Sequence, residues 1–145
     1  MPCHLTFAAK NLDVDALTPT LARTPDSIFR AGDRNGRQEY SGLSFDTSNA
    51  DFDDLELQIE DTLGFLREHE ADLLQIGQLI RCCDEYWCRL DFGFSTRMFD
   101  EKVGIQIDSF PAELLARLGC IGADLMISQY PPMTDGQSGA AASED

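Results

Sequence analysis

The residues best suited to chemistry form an acidic run from position 51 to position 60 that contains no lysine or arginine. Carboxylates at this spacing can hold a hard cation through their oxygens, or attract the basic surface of another protein. Acids in the first turn of a helix also interact favourably with the helix dipole, which would give them a purely structural role. The candidate partner-binding residues are Asp51, Asp53, Asp54, Glu56 and Glu60.

Two of these acids, Glu56 and Glu60, stand four residues apart in a predicted helix. Like charges at this spacing weaken a helix by about 0.2–0.5 kcal/mol, and the segment contains no base to compensate them. This repulsion does not stabilise the fold, whereas the same two negative charges would help a surface to attract a basic partner. We therefore favour partner binding over metal binding for this segment.

A second group of residues has the chemistry of a small ligand site. Arg30 and Asp33 flank a predicted turn, and an arginine fork can bind the carboxylate of a ligand. Trp87 lies on a predicted central strand, where its ring can stack on a ligand in a cleft. The alternatives are that Arg30 and Asp33 stabilise a hairpin, and that Trp87 packs in the core beside Phe92 and Phe94.

Motifs of the common enzyme classes are absent from the sequence. It has no G-x-S-x-G, G-x-x-x-x-G-K-[ST], G-x-G-x-x-G or H-E-x-x-H pattern, so the usual nucleophile, phosphate and zinc devices are missing. The stretch 33–36 is similar to the start of a calcium loop, but Gly36 comes too early and the closing acid is missing. We predict a hairpin turn there, with no catalytic residue, no cofactor and no metal.

The cysteines point to a reducing environment. There are five, at positions 3, 82, 83, 88 and 120, and two of them are adjacent, which is a poor pattern for a disulfide framework. They lack the C-x-x-C spacing and the histidines of a zinc site, since the chain has only two histidines. We predict reduced, buried thiols without chemical function.

The charge balance restricts the partners. With 26 acids against 11 bases the formal net charge is −15, a field that repels nucleic acid and anionic lipid. No apolar run approaches the roughly 20 residues of a membrane span. The first seven residues lack the basic and apolar segments of a secretory signal, so we expect a cytoplasmic protein that binds neither nucleic acid nor membrane.

Hydrophobic periodicity predicts the elements that must position these side chains. Pro19 shortens the first helix, and Glu70 occupies an apolar position of the longest helical pattern, so a break is expected there. The predicted strands are Cys3–Ala9, Ser27–Ala31, Glu39–Asp46, Glu85–Ser95 (a central strand), Val103–Asp108 and Ala123–Tyr130, and the predicted helices start near Asp15, span two segments between Leu55 and Ile80, and cover Pro111–Leu118.

The order β-α-β-β-α-β-β-α-β predicts an α+β sandwich with ferredoxin-like character, in which the helices lie on one face of a mainly antiparallel sheet. We assign residues 1–130 to a single domain. Residues 131–145 are rich in Pro, Gly, Ser and Ala without periodicity and are expected to be a disordered tail.

The chain also resembles the uncharacterised bacterial family called domain of unknown function 4279, over about residues 4–130. The resemblance implies an α+β fold and brings no established activity, so it assigns no functional residue. It rests on Asp13-x-Asp15 opening a short helix, on Pro25-Asp26-x-x-Phe29-Arg30-x-Gly32-Asp33, and on Pro111-x-x-Leu114-Leu115-x-x-Leu118-Gly119 before a strand that ends in Tyr130.

These observations favour a non-catalytic acidic protein-binding module, of the immunity type that neutralises a basic toxin such as a nuclease. The alternative is a small-ligand-binding or structural module that uses the face of the sheet. An unrecognised enzyme would need titratable groups that converge in a cleft.

Overall fold

The computed structural model describes residues 3–98, 102 and 104–131. It has the predicted α+β class, and the described residues form one strand fewer than the sequence pattern indicated. The strands are β1 (Cys3–Ala9), β2 (Ser27–Phe29), β3 (Ser41–Ser48), β4 (Tyr86–Ser95) and β5 (Asp124–Tyr130), and the helices are α1 (Val14–Leu17, followed by a 3₁₀ turn Thr18–Thr20), α2 (Asp33–Gly36), α3 (Leu55–Glu68), α4 (Glu70–Ile80) and α5 (Ala112–Ile121).

The five strands form one sheet in the order β2-β3-β1-β4-β5. β1 is antiparallel to β3 and β4, and β2 is antiparallel to β3, so the first four strands have the ferredoxin-like arrangement. β5 adds to β4 in parallel, after a crossover through α5. The predicted mainly antiparallel sheet is confirmed, and β4 is an interior strand as expected.

The core lies on one face of the sheet. Leu5 of β1 stands between Phe45 of β3 and Leu90 of β4 in register, and all three side chains are buried. α1, α3, α4 and α5 add apolar side chains to the same core cluster, which confirms that the helices cover one face. Each fully buried side chain of this size contributes roughly 1.5–3 kcal/mol relative to exposure. The other face of the sheet carries polar residues such as Thr6 and Arg89.

The predicted break in the long helical pattern is confirmed at His69, whose φ and ψ of −108° and 18° are not helical. Glu70 stands where a continuous helix would need an apolar residue. Its carboxylate instead accepts a hydrogen bond of 3.0 Å from Arg117 of α5. The break therefore directs a charged side chain out of the core and joins α4 to α5.

The first helix is shorter than expected. α1 is a single turn capped by Asp13, whose side chain accepts a hydrogen bond from the Ala16 amide at 3.0 Å. Pro19 falls in the 3₁₀ turn that follows, at one of its first positions, where the missing N–H has no helical partner to lose. Proline thus divides the expected two-turn helix into two short pieces.

The predicted hairpin between β2 and β3 is confirmed. Its turn, α2, is a helical turn by hydrogen bonding only, because Arg34 and Asn35 have left-handed φ of 55° and 59°. Gly32 precedes it with φ of 91°, a conformation that glycine adopts without steric cost. Residues 33–36 therefore belong to the loop that connects the two strands of the hairpin.

The strand predicted for Val103–Asp108 is wrong. Val103 itself lies outside the described residues, and the segment 104–110 has no regular secondary structure. Ile105 and Ile107, which gave the alternating pattern, are 77% and 81% exposed. The side chain of Gln106 holds the segment by accepting a hydrogen bond of 2.7 Å from the amide of Arg97. A side chain thus replaces the strand ladder that the pattern suggested.

Of the tail predicted to be disordered, residues 132–145 lie outside the described part of the chain. Within that part, none of the helices combines the length and the apolar character that crossing a membrane requires.

Candidate functional site

An open groove of about 790 Å³ lies between the start of α3, the end of β4 and the segment 106–109. Its lining combines apolar side chains with carboxylates. The apolar lining comes from Phe52, Leu55, Ile59, Phe94 and Ile107, and the carboxylates belong to Asp53, Asp54, Glu56 and Asp108.

Backbone hydrogen bonds hold the loop before α3 against the end of the sheet. The amide of Ser95 donates to the carbonyl of Phe52 at 2.9 Å, and the amide of Thr96 donates to the carbonyl of Tyr130 at 2.8 Å. The rings of Phe52 and Tyr130 meet edge to face with centroids 5.4 Å apart. The groove is therefore anchored to both β4 and β5.

A buried glutamine, Gln58, fixes the acidic loop from below. Its amide nitrogen donates to the carbonyls of Asp51 at 2.8 Å and Gly93 at 3.2 Å. Its amide oxygen accepts from the thiol of Cys3 at 3.3 Å. Gln58 is fully buried and its partners satisfy both ends of the amide, so removing it would leave buried polar groups unpaired.

Gln106 forms the opposite wall. Its side-chain oxygen accepts hydrogen bonds from the amide of Arg97 and, at 3.1 Å, from the hydroxyl of Thr96, while its nitrogen donates to Asp108 at 2.8 Å. The guanidinium of Arg97 lies 3.5 Å from the carboxylate of Asp108. Arg97, the basic residue of the groove lining, is thus already paired with Asp108, one of the four acids.

The remaining acids of the groove have no basic partner in the part of the chain that the structure describes. Within the described residues, neither Asp53 nor Glu56 forms an ion pair, and both are exposed. Asp54 is committed to capping α3, since its carboxylate accepts from the amide of Leu57 at 3.0 Å. Four carboxylates against one guanidinium give the lining a net charge of −3.

Of the five predicted partner-binding acids, the structure brings three into this groove. Asp51 and Glu60 are exposed but do not line it: Asp51 precedes it, and Glu60 lies one helical turn beyond Glu56. The sequence reasoning missed Gln58, Arg97, Gln106 and Asp108. Gln58 lies inside the acidic run but carries no charge, so the density of acids did not indicate it. Arg97, Gln106 and Asp108 come from a distant part of the chain, so no local spacing relates them to the run.

The structure does not bring Arg30, Asp33 and Trp87 together into one cleft. The guanidinium of Arg30 makes a two-pronged pair with Asp15, at 2.6 and 3.1 Å. Hydrogen bonding from Arg30 lowers the pKa of the Asp15 carboxyl. The carboxylate of Asp33 accepts from the backbone amide of Arg30 at 2.7 Å, so Asp33 stabilises the hairpin, as the alternative interpretation held.

Trp87 lies on the polar face of the sheet. Side chains alternate along β4, so Trp87 points away from the face that carries Phe92 and Phe94, and the core interpretation of Trp87 is wrong. The guanidinium of Arg89, two residues along the same face, lies 4.9 Å from the centroid of the Trp87 ring. Trp87 is half-buried and does not line the groove.

All five cysteines are free thiols, as predicted, but only two are buried. Burial raises the pKa of Cys3 and of Cys88 to about 12, which suppresses their reactive thiolate form. Cys82 and Cys120 are exposed, so the prediction of buried thiols is wrong for both of them. Among the described residues no three His, Cys, Asp or Glu side chains are arranged to hold a metal ion.

Together, the fold and the groove define a small acidic α+β domain, built on a ferredoxin-like core with a fifth, parallel strand. A family model described as a domain of unknown function, DUF4279, matches residues 1–132. The chain belongs to this family. Comparisons with curated proteins and with solved structures gave no match.

Proposed function

We propose that the protein is a non-catalytic binding module that receives a basic segment of a partner protein in the acidic groove. The observation that carries this proposal is the pair of unneutralised carboxylates, Asp53 and Glu56, in the same lining as apolar side chains. A peptide segment that combines lysine or arginine with an apolar side chain complements both features. The basic side chains of such a segment would form ion pairs with Asp53 and Glu56.

The charge of the chain supports fast capture. A net charge of −15 steers a cationic partner toward the surface, and this steering weakens as salt screens it. The apolar side chains of the lining support the affinity of the bound state. Ile107 is 81% exposed and would lose that exposure against an apolar side chain, a contribution that roughly follows the area buried.

In its most specific form, the proposal is an immunity-type role in the cytoplasm, where the chain would neutralise a basic toxin such as a nuclease. Small size and strong negative charge support this role, because an inhibitor of this kind must reach a cation-rich surface quickly. Five free thiols support a reducing compartment.

Association kinetics with a defined peptide test the proposal. The probe is a peptide that alternates lysine with leucine, and the matched control peptide carries glutamine in place of lysine. The variant Asp53→Asn/Glu56→Gln/Glu60→Gln should associate with the lysine peptide more slowly than wild type at low salt, and the difference should shrink as salt rises. The glutamine peptide should not distinguish the two proteins.

The control protein removes three charges elsewhere, as Glu39→Gln/Glu68→Gln/Asp84→Asn, at positions that are also exposed. It changes the net charge by the same amount and should retain nearly the wild-type rate. If the variant at Asp53, Glu56 and Glu60 associates at the wild-type rate in low salt, neither the groove nor the adjacent turn of α3 is the binding face.

The polar face of the sheet supports the second candidate, a small-ligand-binding or structural module. The stacked Trp87 and Arg89 lie on this face, and His4 contacts Asp46 there at 2.6 Å. The substitution Trp87→Ala separates the two candidates, because it should leave peptide association in the groove unchanged.

A further inference from the structure

The two edges of the sheet differ in how they are protected against pairing with another chain. β2, at one edge, is three residues long and leads into the hairpin turn. β5, at the other edge, is seven residues long, and within the described residues it pairs with β4 alone. Short edge strands discourage further pairing, whereas a long edge strand offers a row of unpaired N–H and C=O groups.

The side chains of β5 do not protect it. The strand contains no lysine and no proline, and Asp124 at its first position is its single charge. Met126, Ile127 and Tyr130 are 39%, 49% and 49% exposed. Natural proteins usually place charges or proline on such an edge, because apolar edge strands pair readily.

The helix beside this edge is also apolar on its open side. Arg117 of α5 faces the neighbouring helix α4, where it pairs with Glu70. Leu115 lies on nearly the opposite side of α5, at helical spacing, and is 48% exposed. Ile127 shares the helix-covered face of the sheet, since it stands opposite the buried Phe92. Leu115 in the helix layer and Ile127 in the sheet thus both expose apolar surface at this edge of the fold.

The low charge of this edge favours a second copy of the chain as its partner. Residues 112–131 contain only Glu113, Arg117 and Asp124 as charged groups, a net charge of −1 in a chain of −15. Glu113 and Arg117 also neutralise each other at 3.0 Å. A basic partner finds little to attract it here, whereas a second copy of this acidic chain meets less repulsion than the acidic groove would offer it.

We propose that β5 pairs edge to edge with β5 of a second copy, so that two sheets join into one across a two-fold axis. An antiparallel pairing centred on Ile127 is self-complementary, as a two-fold interface requires. It places Asp124 of one copy opposite Tyr130 of the other, so no like charges face each other. The two α5 helices then lie on the same side of the joined sheet.

Sedimentation equilibrium of the full chain tests this pairing across roughly 1 µM to 1 mM, a span that covers interfaces of modest affinity. Wild type should reach twice the chain mass of 16.1 kDa. The substitution Ile127→Lys should raise the dimer dissociation constant by about 100-fold or more, since symmetry introduces the charge twice. Leu57→Lys is the control, at a similarly exposed leucine on α3 (43%), and should dimerise as wild type does.

Hydrogen exchange on the wild-type chain supplies a measurement that needs no variant. Amides within Asp124–Tyr130 should gain protection as concentration rises, while those of Ser27–Phe29 at the other edge should not change. A wild-type chain that stays at the monomer mass throughout overturns the proposal. A dimer without concentration-dependent protection of β5, or a folded Ile127→Lys variant that dimerises as wild type does, overturns it equally.

Discussion

Gly77 of α4 lies directly against the backbone carbonyl of Ile121 at the end of α5. A Cβ atom at Gly77 would stand 2.5 Å from that oxygen, closer than such atoms approach in proteins. Arg81, one turn further along, donates a hydrogen bond of 3.0 Å to the carbonyl of Cys120. The absence of a side chain at Gly77 thus lets α4 reach the last turn of α5, where Arg81 satisfies a carbonyl left free by the helix end.

The substitution Gly77→Ala should therefore destabilise the protein by about 1–3 kcal/mol, as overpacking against backbone does. Gly64→Ala in α3 is the matched control, because nothing lies within 4 Å of the added Cβ. It should raise the free energy of unfolding by up to about 1 kcal/mol through helix propensity alone. Urea unfolding of both variants measures the two signs, and equal effects would show that the contact with Ile121 is unimportant.

The thiols should divide into classes by reactivity. In the native protein, Cys82 and Cys120 should react rapidly with a thiol reagent near pH 8, because they are exposed. Cys3 and Cys88 should stay unmodified until the protein unfolds, since both are buried and their pKa values are raised to about 12. Mass spectrometry of the labelled chain counts the sites. Denaturation without reductant should make all five react, and fewer would contradict the reduced state.

The same burial predicts a loss of stability in alkali. The thiol pKa is about 12 for both Cys3 and Cys88 in the folded chain, against an ordinary value of 9.0. The unfolded chain therefore loses these protons first, so their contribution is complete below about pH 9 and falls as pH rises toward 12. Urea unfolding between these limits should show a shallower decline for Cys88→Ala than for wild type. Parallel declines would exclude Cys88 as a cause.

An acid-side effect is expected from the junction of α3, α4 and α5. Hydrogen bonds from Arg67 and then from Arg117 lower the pKa of Glu113 from 4.5 to about 2. A carboxyl with a lowered folded pKa stabilises the protein above its unfolded pKa, and that contribution disappears as pH falls from 4.5 toward 2. The stability advantage of wild type over Glu113→Gln should be present at pH 6 and small near pH 2. A difference independent of pH would contradict this assignment.

Much of the fold could be predicted because local signals agreed with the tertiary structure. Glu70 marked the helix break, since a charge in an apolar register cannot enter the core without a partner. Ile105 and Ile107 misled, because alternation shows only that a strand would have an apolar face. It does not show that a sheet edge is available to pair with that strand, and here a side chain, Gln106, fixes the segment instead.

The candidate site was only partly predictable, for a similar reason. The acidic run supplied Asp53 and Glu56, whose density is visible in the sequence itself. Arg97 and Gln106 belong to the site only because β4 ends beside the start of α3, a tertiary relationship without local spacing. Trp87 could have been placed from the sequence. The alternation along β4 puts Trp87 on the face of the sheet opposite to Phe92, and this pattern excludes it from the core.

The central position of β1 affects how the chain is made. A ribosome completes β1 at Ala9, but β4, which fills one of its two edges, is complete only at Ser95. At about 5–20 residues per second this leaves roughly 4–17 s in which an apolar strand has an open edge. A nascent chain in that state is a substrate for chaperones and is prone to aggregate. The order of the strands therefore delays formation of the sheet until β4 has been synthesised.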